Sequence, residues 1–597
     1  MNVDLLVSRG QLVATALVVS LILQLTNCGG SDGRASSDSA ASSSSARADT
    51  DPGLLLAQAR PPGVFEEGDA WGAAPSSQLS RNPEAWLPAM AEAGISSVRN
   101  FRAPPEDDKL SPILAAGMSA VGILQWSPRT PGSLPVDDLD GWRNYVTGEV
   151  TRHKGRVKHW EVWNEPPNFT EDKSPASYAR VVAAAYDAAK AVDPGVQIGL
   201  AAKSNHVNFL AETIDAGAAD KFDFVTLHPY EIAELLVQGW EGQFMSIVPR
   251  VRRMLMARNP ARAQVPVWFT EIGISAAPPP GRGRVGPTGQ ADGLVKIYSM
   301  AFAQGVPRVY WFDPRDSEGL TMGLTTGDGS KRPAWQALRS LWTYFGERPD
   351  YAGWTQPGNA WYGFVFKGPQ GVVLSGWARP GQSSQLALPS EVLQVDPRTG
   401  AANATRTPTI SEVPVLLVAP AGSAPAQQWL GEAAANAGKA FAWNGDHSRS
   451  ESVQLTAGAV PDGVFIVKPP PVTEVDGRAE FNVEGSIGAC FAVDPTFFAY
   501  AHAAAPLRIT ALVRGHGAGD PGFELKYESG APIAATDGNN LKGVDSGWFR
   551  IPGTEVREKT WELPDARFVG LYGYNFCFYA PALQNARFSI LQVTVRR

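Results

Sequence analysis

The stretch His159-Trp160-Glu161-Val162-Trp163-Asn164-Glu165-Pro166 indicates how the central part of the chain folds. It has the form of a buried strand that ends in an amide and a carboxylate, after which Pro166 stops the strand. A second stretch, Val265 to Phe269, has the same form and leads through Thr270 into Glu271. Two strand-like segments are therefore each followed by a glutamate.

Around these two stretches, from about residue 62 to residue 346, short apolar runs alternate with longer amphipathic ones, which is the pattern of repeated βα units. Eight such units in this length predict a (β/α)8 TIM barrel within the α/β class. The predicted strands are Gly63 to Phe65, Ile95 to Phe101, Met118 to Trp126, Val157 to Trp163, Val196 to Ala201, Phe224 to His228, Val265 to Phe269 and Arg308 to Phe312. Predicted helices include Pro83 to Ala93, Ser177 to Val192, Val207 to Ala216 and Gly289 to Ala303.

The two glutamates follow the predicted fourth and seventh strands. In a closed barrel these strands face one another, and the catalytic groups of TIM barrels lie at the carboxyl ends of strands. Glycoside cleavage needs such a pair: one carboxylic acid protonates the leaving oxygen and one carboxylate meets the anomeric carbon. Taken singly, either glutamate could instead be a loop, capping or ion-paired side chain.

The phrases Trp160-Glu161-Val162-Trp163-Asn164-Glu165-Pro166 and Trp268-Phe269-Thr270-Glu271-Ile272-Gly273 resemble the clan A glycoside hydrolases, most closely family 39 and its exopolysaccharide-locus relatives. The resemblance implies that Glu165 is the acid/base, that Glu271 is the nucleophile and that Asn164 binds the sugar 2-hydroxyl. One departure is Pro167 before Asn168, because the family commonly has Asn-Glu-Pro-Asn.

The same resemblance implies further substrate-binding residues at other strand ends. Arg99 looks like the arginine that keeps the nucleophile ionised, and His228 with Tyr230 looks like a His-x-Tyr pair whose tyrosine hydrogen-bonds the nucleophile. Trp311 resembles the aromatic floor of the sugar subsite, and Trp126 is a further candidate. The alternatives are a structural ion pair for Arg99, a core histidine for His228 and packing for Trp311.

The acid/base must hold a proton near neutral pH, so we expect burial beside Trp163 to raise the pKa of Glu165. No metal-ligand cluster, phosphate-binding glycine loop or Gly-x-Ser-x-Gly elbow is found in the sequence, so neither a metal nor an organic cofactor is expected. A net charge of -7 over 597 residues, without a basic run, makes nucleic acid an unlikely partner.

The N-terminal segment has the form of a targeting signal. The apolar run Leu12 to Leu23 has the length of a secretory signal and ends near Cys28, as in bacterial lipoprotein signals. Residues 1–28 are thus predicted to be a lipoprotein-type signal peptide with Cys28 as the lipidated residue, and residues 29–61 a disordered Ser/Ala/Gly linker. We expect an exported, membrane-anchored bacterial lipoprotein, periplasmic or on the cell surface. An ordinary cleaved signal or an uncleaved anchor is the alternative.

Downstream of the barrel, alternating strand patterns predict two β domains. Residues 347–422 are predicted to form an accessory β-sandwich, and residues 423–597 a jelly-roll-like sandwich that either binds carbohydrate or is structural. The remaining cysteines, Cys490 and Cys577, could form a disulfide in an oxidising compartment or stay unpaired.

The sequence therefore favours a retaining glycoside hydrolase acting on β-linked bonds of a cell-surface or exported polysaccharide or oligosaccharide. Two alternatives use the same scaffold: a non-catalytic polysaccharide-binding lipoprotein and a transglycosylase with the same residues. The barrel alone does not choose the substrate, because one fold supports many specificities.

Overall fold

The computed structural model describes residues 69–101, 109–126, 133–168, 172–277, 286–484, 488–498, 505–517, 519–536, 541–580 and 587–597. Cys28, the predicted signal and linker segments and the predicted first strand at residues 63–65 lie outside these residues. Within the described ranges, no helix is both long and apolar enough to span a bilayer.

Eight parallel strands form a closed barrel in chain order, and the first strand pairs with both the second and the eighth. The barrel strand nearest the N-terminus is an apolar segment that begins at Trp71, whereas the other seven overlap the predicted strands. The predicted TIM-barrel fold class is confirmed. The strands are β1 Trp71–Ala73, β2 Ser97–Phe101, β3 Ser119–Leu124, β4 His159–Val162, β5 Gln197–Ala201, β6 Phe224–Leu227, β7 Val267–Ile272 and β8 Val309–Trp311.

Helices surround the barrel and bury their apolar faces against it. The helix that begins at Pro175 has a recognisable cap: the Ser174 hydroxyl accepts a hydrogen bond from the Ser177 amide, and Pro175 occupies the first helical position. The α-helices are α1 Leu87–Ala93, α2 Leu110–Ala115, α3 Leu139–Arg152, α4 Pro175–Val192, α5 Val207–Thr213, α6 Tyr230–Leu235, α7 Glu241–Met245, α8 Ile247–Arg258, α9 Gly286–Ala303 and α10 Pro333–Phe345. Shorter 3-10 or π turns occupy Leu79–Arg81, Pro83–Ala85, Ile214–Ala218, Leu236–Gln238, Pro260–Arg262, Pro357–Asn359 and Ile533–Ala535.

An antiparallel sheet follows the barrel and packs on its flank. Phe366 of this sheet stacks on Phe345 with ring centroids 4.0 Å apart, and the indole of Trp377 donates to Glu241 at 2.9 Å. The six strands of the sheet run in the order β14-β13-β16-β11-β10-β9, beside a two-stranded ribbon of β12 and β15. They are β9 Asp350–Thr355, β10 Trp361–Gly368, β11 Gly371–Ala378, β12 Ser384–Gln385, β13 Val392–Val395, β14 Ala402–Thr405, β15 Thr409–Ile410 and β16 Val415–Ala419.

Helix α11, Ala424–Ala435, corrects the predicted boundary at residue 423. Its buried residues Ala426, Trp429 and Ala433 share an apolar cluster with Val365 and Leu417 of the preceding sheet. Burial of this face explains why the helix belongs with that sheet and not with the C-terminal domain to which we assigned it.

The C-terminal region forms a two-sheet sandwich. One sheet runs β19-β20-β27-β22-β25, with β17 beside β27, and the other runs β18-β21-β26-β23-β24. From β20 onward successive strands alternate between the two sheets, except that β23 and β24 pair in the same sheet, which is the jelly-roll order. The strands are β17 Ser452–Thr456, β18 Val464–Val467, β19 Val472–Val475, β20 Arg478–Asn482, β21 Gly488–Val493, β22 Ala505–Gly515, β23 Gly522–Glu528, β24 Leu541–Arg550, β25 Val556–Ala566, β26 Phe576–Tyr579 and β27 Phe588–Arg596.

Aromatic packing and one disulfide hold this jelly roll together. Phe523 stacks on Phe578 with ring centroids 4.1 Å apart inside the sandwich. Cys490 of β21 and Cys577 of β26 lie opposite one another in register and are joined by a disulfide. The link ties together strands from distant parts of the domain.

Candidate active site

Glu165 and Glu271 meet at the carboxyl end of the barrel. Glu165 lies three residues after the end of β4, and Glu271 is the penultimate residue of β7. Both Trp163 and Glu165 have positive φ angles, of 67° and 47°, so the chain turns sharply as it leaves β4. Carboxylate oxygens of the two glutamates lie within 4.8 Å of one another.

Arg99, the middle residue of β2, contacts side chains of both carboxylate-bearing strands. Its Nη1 donates to Oε1 of Glu271, and its Nη2 donates to Oδ1 of Asn164 at 2.9 Å. Its Nε donates to Oε2 of Glu161 at 2.8 Å. The guanidinium thus fixes the orientation of Glu271 and Asn164 together, as expected of a planar fork of donors.

Glu161 is a site residue that the sequence analysis missed. It is fully buried inside β4, where it pairs with Arg99 and accepts hydrogen bonds from the hydroxyls of Thr226 and Thr270. A carboxylate in the middle of a buried strand needs a charged partner, so the position of Glu161 in the sequence could have predicted an ion pair inside the barrel. Burial alone lowers the pKa of Arg99, but Glu161 and Glu271 outweigh it and raise that pKa above its ordinary value.

His228 follows β6 and lies between the two catalytic candidates. Its Nδ1 is 2.6 Å from Oε1 of Glu165 and 3.6 Å from Oε2 of Glu271. Its Nε2 is 3.0 Å from Oγ1 of Thr270. Because the Thr270 hydroxyl donates to Glu161, it accepts from Nε2–H of the imidazole. Nδ1 and Glu165 therefore share one proton between them.

The pKa of Glu165 is shifted in the direction opposite to our expectation. Burial alone raises the pKa of Glu165, but the hydrogen bond and charge from His228 lower it below its ordinary value. Burial likewise lowers the pKa of His228, but the charge of Glu271 and the bond to Glu165 raise it above its ordinary value. In the free site the shared proton is therefore held on the imidazole side of the pair.

Tyr230 supplies the second hydrogen bond to Glu271. Its hydroxyl donates to Oε2 at 3.1 Å, while Arg99 holds Oε1, so both oxygens of Glu271 are oriented. Burial and the neighbouring charge of Glu271 raise the pKa of Tyr230 well above its ordinary value, so the phenol stays a donor. Glu165 has a different environment: apart from His228 it accepts from the side-chain amide of Asn168, at 3.3 Å.

The two predicted tryptophans lie outside this network. Trp311 is fully buried and its indole donates to the carbonyl of Met322 at 3.0 Å, so the ring presents no surface to a sugar. Trp126 is half-buried and stacks on Tyr145 of helix α3 at 6.2 Å. Phe312 instead borders the site, with its half-buried ring 6.2 Å from that of Tyr230.

Among the residues that the structure describes, Glu165, His228 and Glu271 form a group whose ligand atoms lie close enough together to hold a metal ion. A Zn²⁺ ion binds imidazole nitrogen and carboxylate oxygen at about 2.0–2.2 Å, which keeps two ligand atoms of one ion about 3 Å apart. The 2.6 Å separation of His228 Nδ1 and Glu165 Oε1 is instead that of a charge-assisted hydrogen bond. Arg99 moreover already neutralises Glu271. The cluster suits the storage of a proton better than the binding of a cation.

No family model and no curated protein matches the chain. Its fold is similar to that of a family 39 glycoside hydrolase from the gut symbiont Bacteroides cellulosilyticus WH2, with 17% identity, a TM-score of 0.45 and coverage of 60% of this chain and 82% of that one. It is also similar to a family 39 β-xylosidase from Caulobacter crescentus, with 18% identity, a TM-score of 0.41 and coverage of 61% and 99%. A family 51 α-L-arabinofuranosidase from Thermotoga petrophila RKU-1 has 10% identity, a TM-score of 0.42 and coverage of 61% and 98%.

At these identities and TM-scores the similarity does not assign an activity to the site.

Proposed function

We propose that this protein is a retaining glycoside hydrolase that cleaves β-linked bonds in a polysaccharide or oligosaccharide. The observation that carries the proposal is the pair of carboxylates within 4.8 Å of one another at the ends of β4 and β7. Retaining enzymes hold their two carboxyl groups about 5–5.5 Å apart, whereas inverting enzymes leave about 6.5–9.5 Å for a water molecule. The different partners of the two glutamates support a division of roles.

Glu271 is the nucleophile in this proposal. Arg99 and Tyr230 each hydrogen-bond one of its oxygens, which favours the ionised carboxylate and fixes its direction. In the first step an oxygen of Glu271 bonds to the anomeric carbon as the bond from that carbon to the leaving oxygen breaks. The leaving oxygen takes the proton that Glu165 and His228 share.

Glu165 acts as a base in the second step. Water attacks the anomeric carbon, its proton passes to Glu165, and the ester bond to Glu271 breaks to restore the carboxylate. Asn164, held by Arg99, is placed beside the nucleophile to contact the sugar 2-hydroxyl. Two displacements at the same carbon give overall retention.

We also propose that the enzyme is exported and anchored through lipidated Cys28. The disulfide between Cys490 and Cys577 supports this localisation, because such bonds persist in oxidising compartments. The test is partition of the full chain expressed in a bacterium into the detergent phase of a Triton X-114 extract. Wild type is expected in the detergent phase and Cys28→Ser in the aqueous phase, and equal partition would contradict the anchor.

The catalytic proposal is tested with a panel of p-nitrophenyl and 2,4-dinitrophenyl β-glycosides. Glu165→Ala should lose about 10²- to 10⁴-fold in rate with the poor leaving group and much less with the good one, because only the poor one needs protonation. Glu271→Ala should be inactive with both. Added azide should rescue the first variant to a β-glycosyl azide and the second to an α-glycosyl azide.

Glu149→Ala, which removes a carboxylate from an ion pair on the outer helix α3, is the matched control and should behave as wild type. The anomer released first, followed by NMR, should have the configuration of the substrate. Release of the opposite anomer would exclude double displacement. Transfer to an added sugar in preference to water would identify a transglycosylase, and polysaccharide binding without turnover would identify a binding protein.

A further inference from the structure

A loop of the jelly roll lies on the mouth of the barrel. We call residues 568–575, between β25 and β26, the docking loop. Its backbone accepts hydrogen bonds from Ser204 and Asn205 in the segment that follows β5, and Ser204 in turn pairs with His228 after β6. This contact ties together residues more than 360 positions apart in sequence.

The docking loop is fixed from both sides. Buried Glu528 accepts the amides of Val569, Gly570 and Leu571, each at 2.8 Å. The carbonyls of the same three residues face the barrel. They accept hydrogen bonds from Arg250, Asn205 and Ser204, the last at 2.8 Å. A loop with three successive amides and three successive carbonyls paired is held in one position before any ligand arrives.

The docking loop lies on the Glu165 side of the site. The amide of Lys203 donates to the carbonyl of Pro166, the residue after Glu165, at 3.1 Å. The next residue, Ser204, accepts the amide of His228 at 3.0 Å. Lys203 also donates from Nζ to the hydroxyl of Tyr572 in the docking loop at 3.2 Å. Tyr572 is thus linked through Lys203 to Pro166, the residue that follows Glu165.

The docking loop presents two half-buried aromatic rings there. The rings of Tyr572 and Tyr574 lie 6.0 Å apart with a 40° tilt, and Lys203 Nζ is 5.8 Å from the centre of the Tyr572 ring. Aromatic faces with a polar hydroxyl are suited to sugars, whose rings have an apolar C–H face and a rim of hydroxyls. Tyr572 rests on the apolar core of the barrel, so its ring is supported from behind.

We propose that Tyr572 and Tyr574 form a sugar-binding subsite on the leaving-group side of the cleft, so that the jelly roll completes the active site. The proposal rests on the proposed function, because the acid/base must face the leaving oxygen and its neighbours must then contact the leaving sugar. The ligand class is the sugar unit on the leaving-group side of a β-linked oligosaccharide.

The experiment compares two substrates of the same sugar on the full chain. One is a 2,4-dinitrophenyl β-glycoside, which has no sugar in the leaving group, and the other is the β-linked trisaccharide. Tyr572→Ala/Tyr574→Ala should lower kcat/KM for the trisaccharide by at least fivefold, because each stacked ring contributes roughly two- to tenfold. kcat/KM for the aryl glycoside should stay within twofold of wild type.

Tyr186→Ala is the matched control. Tyr186 is half-buried, and Lys221 lies 5.8 Å from its ring centre, as Lys203 does from Tyr572. Tyr186 lies on helix α4 toward the opposite end of the barrel, so its loss should leave both substrates unaffected. Tyr572→Leu separates loss of sugar stacking from a folding defect, because leucine keeps the apolar contact with the barrel but has no flat face. This variant should again lower kcat/KM only for the trisaccharide.

Equal losses on both substrates, or no loss on the trisaccharide, would overturn the subsite while leaving the glycosidase assignment in place. A wild type that cleaves no aryl glycoside of the panel would instead overturn the proposed function and the subsite with it. The two failures are therefore distinguishable in one set of assays.

Discussion

Replacement of Tyr230 by phenylalanine removes one hydroxyl from the site and leaves the ring in place. That hydroxyl donates to Oε2 of Glu271 at 3.1 Å, and the ring stays packed edge-on against Phe312. A hydrogen bond to a charged group contributes about 1.5–3 kcal/mol. If it is fully used in the transition state, its loss lowers kcat/KM about 10- to 150-fold.

The assay is kcat/KM for a dinitrophenyl glycoside, measured beside the melting temperature of each variant. Tyr310→Phe is the control, because this buried tyrosine also lies inside the barrel but its hydroxyl is 2.9 Å from that of Ser97, away from the carboxylates. We expect that variant to lose about 1 kcal/mol of stability and no activity. A folded Tyr230→Phe enzyme within threefold of wild-type kcat/KM would refute the role assigned to the hydroxyl.

Three further predictions concern charge and covalent links. Burial raises the pKa of Asp313 to about 8, so the folded protein keeps a proton that the unfolded chain releases above about pH 4. The free energy of unfolding should therefore fall as the pH rises from about 4 to about 8. In Asp313→Asn the midpoint of urea unfolding should depend less on pH over this range. Cys490→Ala/Cys577→Ala removes the disulfide between positions 87 residues apart. It should lower the free energy of unfolding in denaturant by about 2–4 kcal/mol without changing aryl-glycoside turnover. Arg99→Lys keeps the charge but loses the fork that joins Glu161 to Glu271, and should lower kcat/KM at least tenfold; an unchanged value would show that charge alone suffices.

The barrel could be predicted from sequence because its strands are short and mostly buried. Strand β3, for example, buries every residue after Ser119, and such runs differ clearly from the amphipathic helices between them. Glu165, His228 and Tyr230 follow strands β4 and β6, Glu271 lies near the end of β7 and Arg99 lies within β2, and their side chains meet at the barrel mouth. Position at strand ends predicted Glu165 and Glu271, whereas Arg99, His228 and Tyr230 were indicated by the resemblance to the clan A glycoside hydrolases.

The features that were missed depend on contacts between distant segments. Nothing in the local pattern around Trp311 distinguishes a ring that lines a cleft from one buried under Met322. Helix α11 carries an apolar face that would suit either neighbouring domain, and only packing on the preceding sheet decides. Likewise, the docking loop has no hydrophobic periodicity that would predict its position, because its backbone hydrogen bonds are made to Glu528 and to the barrel.

The expected protonated Glu165 and the observed pair with His228 differ in where the proton is stored, not in whether it is available. The charge of Glu271 is the strongest influence that raises the pKa of His228. In the proposed mechanism that charge disappears when Glu271 bonds to the sugar, so the imidazole then holds its proton less tightly, at the moment when the leaving oxygen needs one. Nδ1 is 2.6 Å from Oε1 of Glu165, so the proton has a direct path to the acid. The proposed mechanism thereby couples nucleophilic attack and proton delivery through His228, and it lets the pair supply a proton at a pH at which an isolated carboxyl would be ionised.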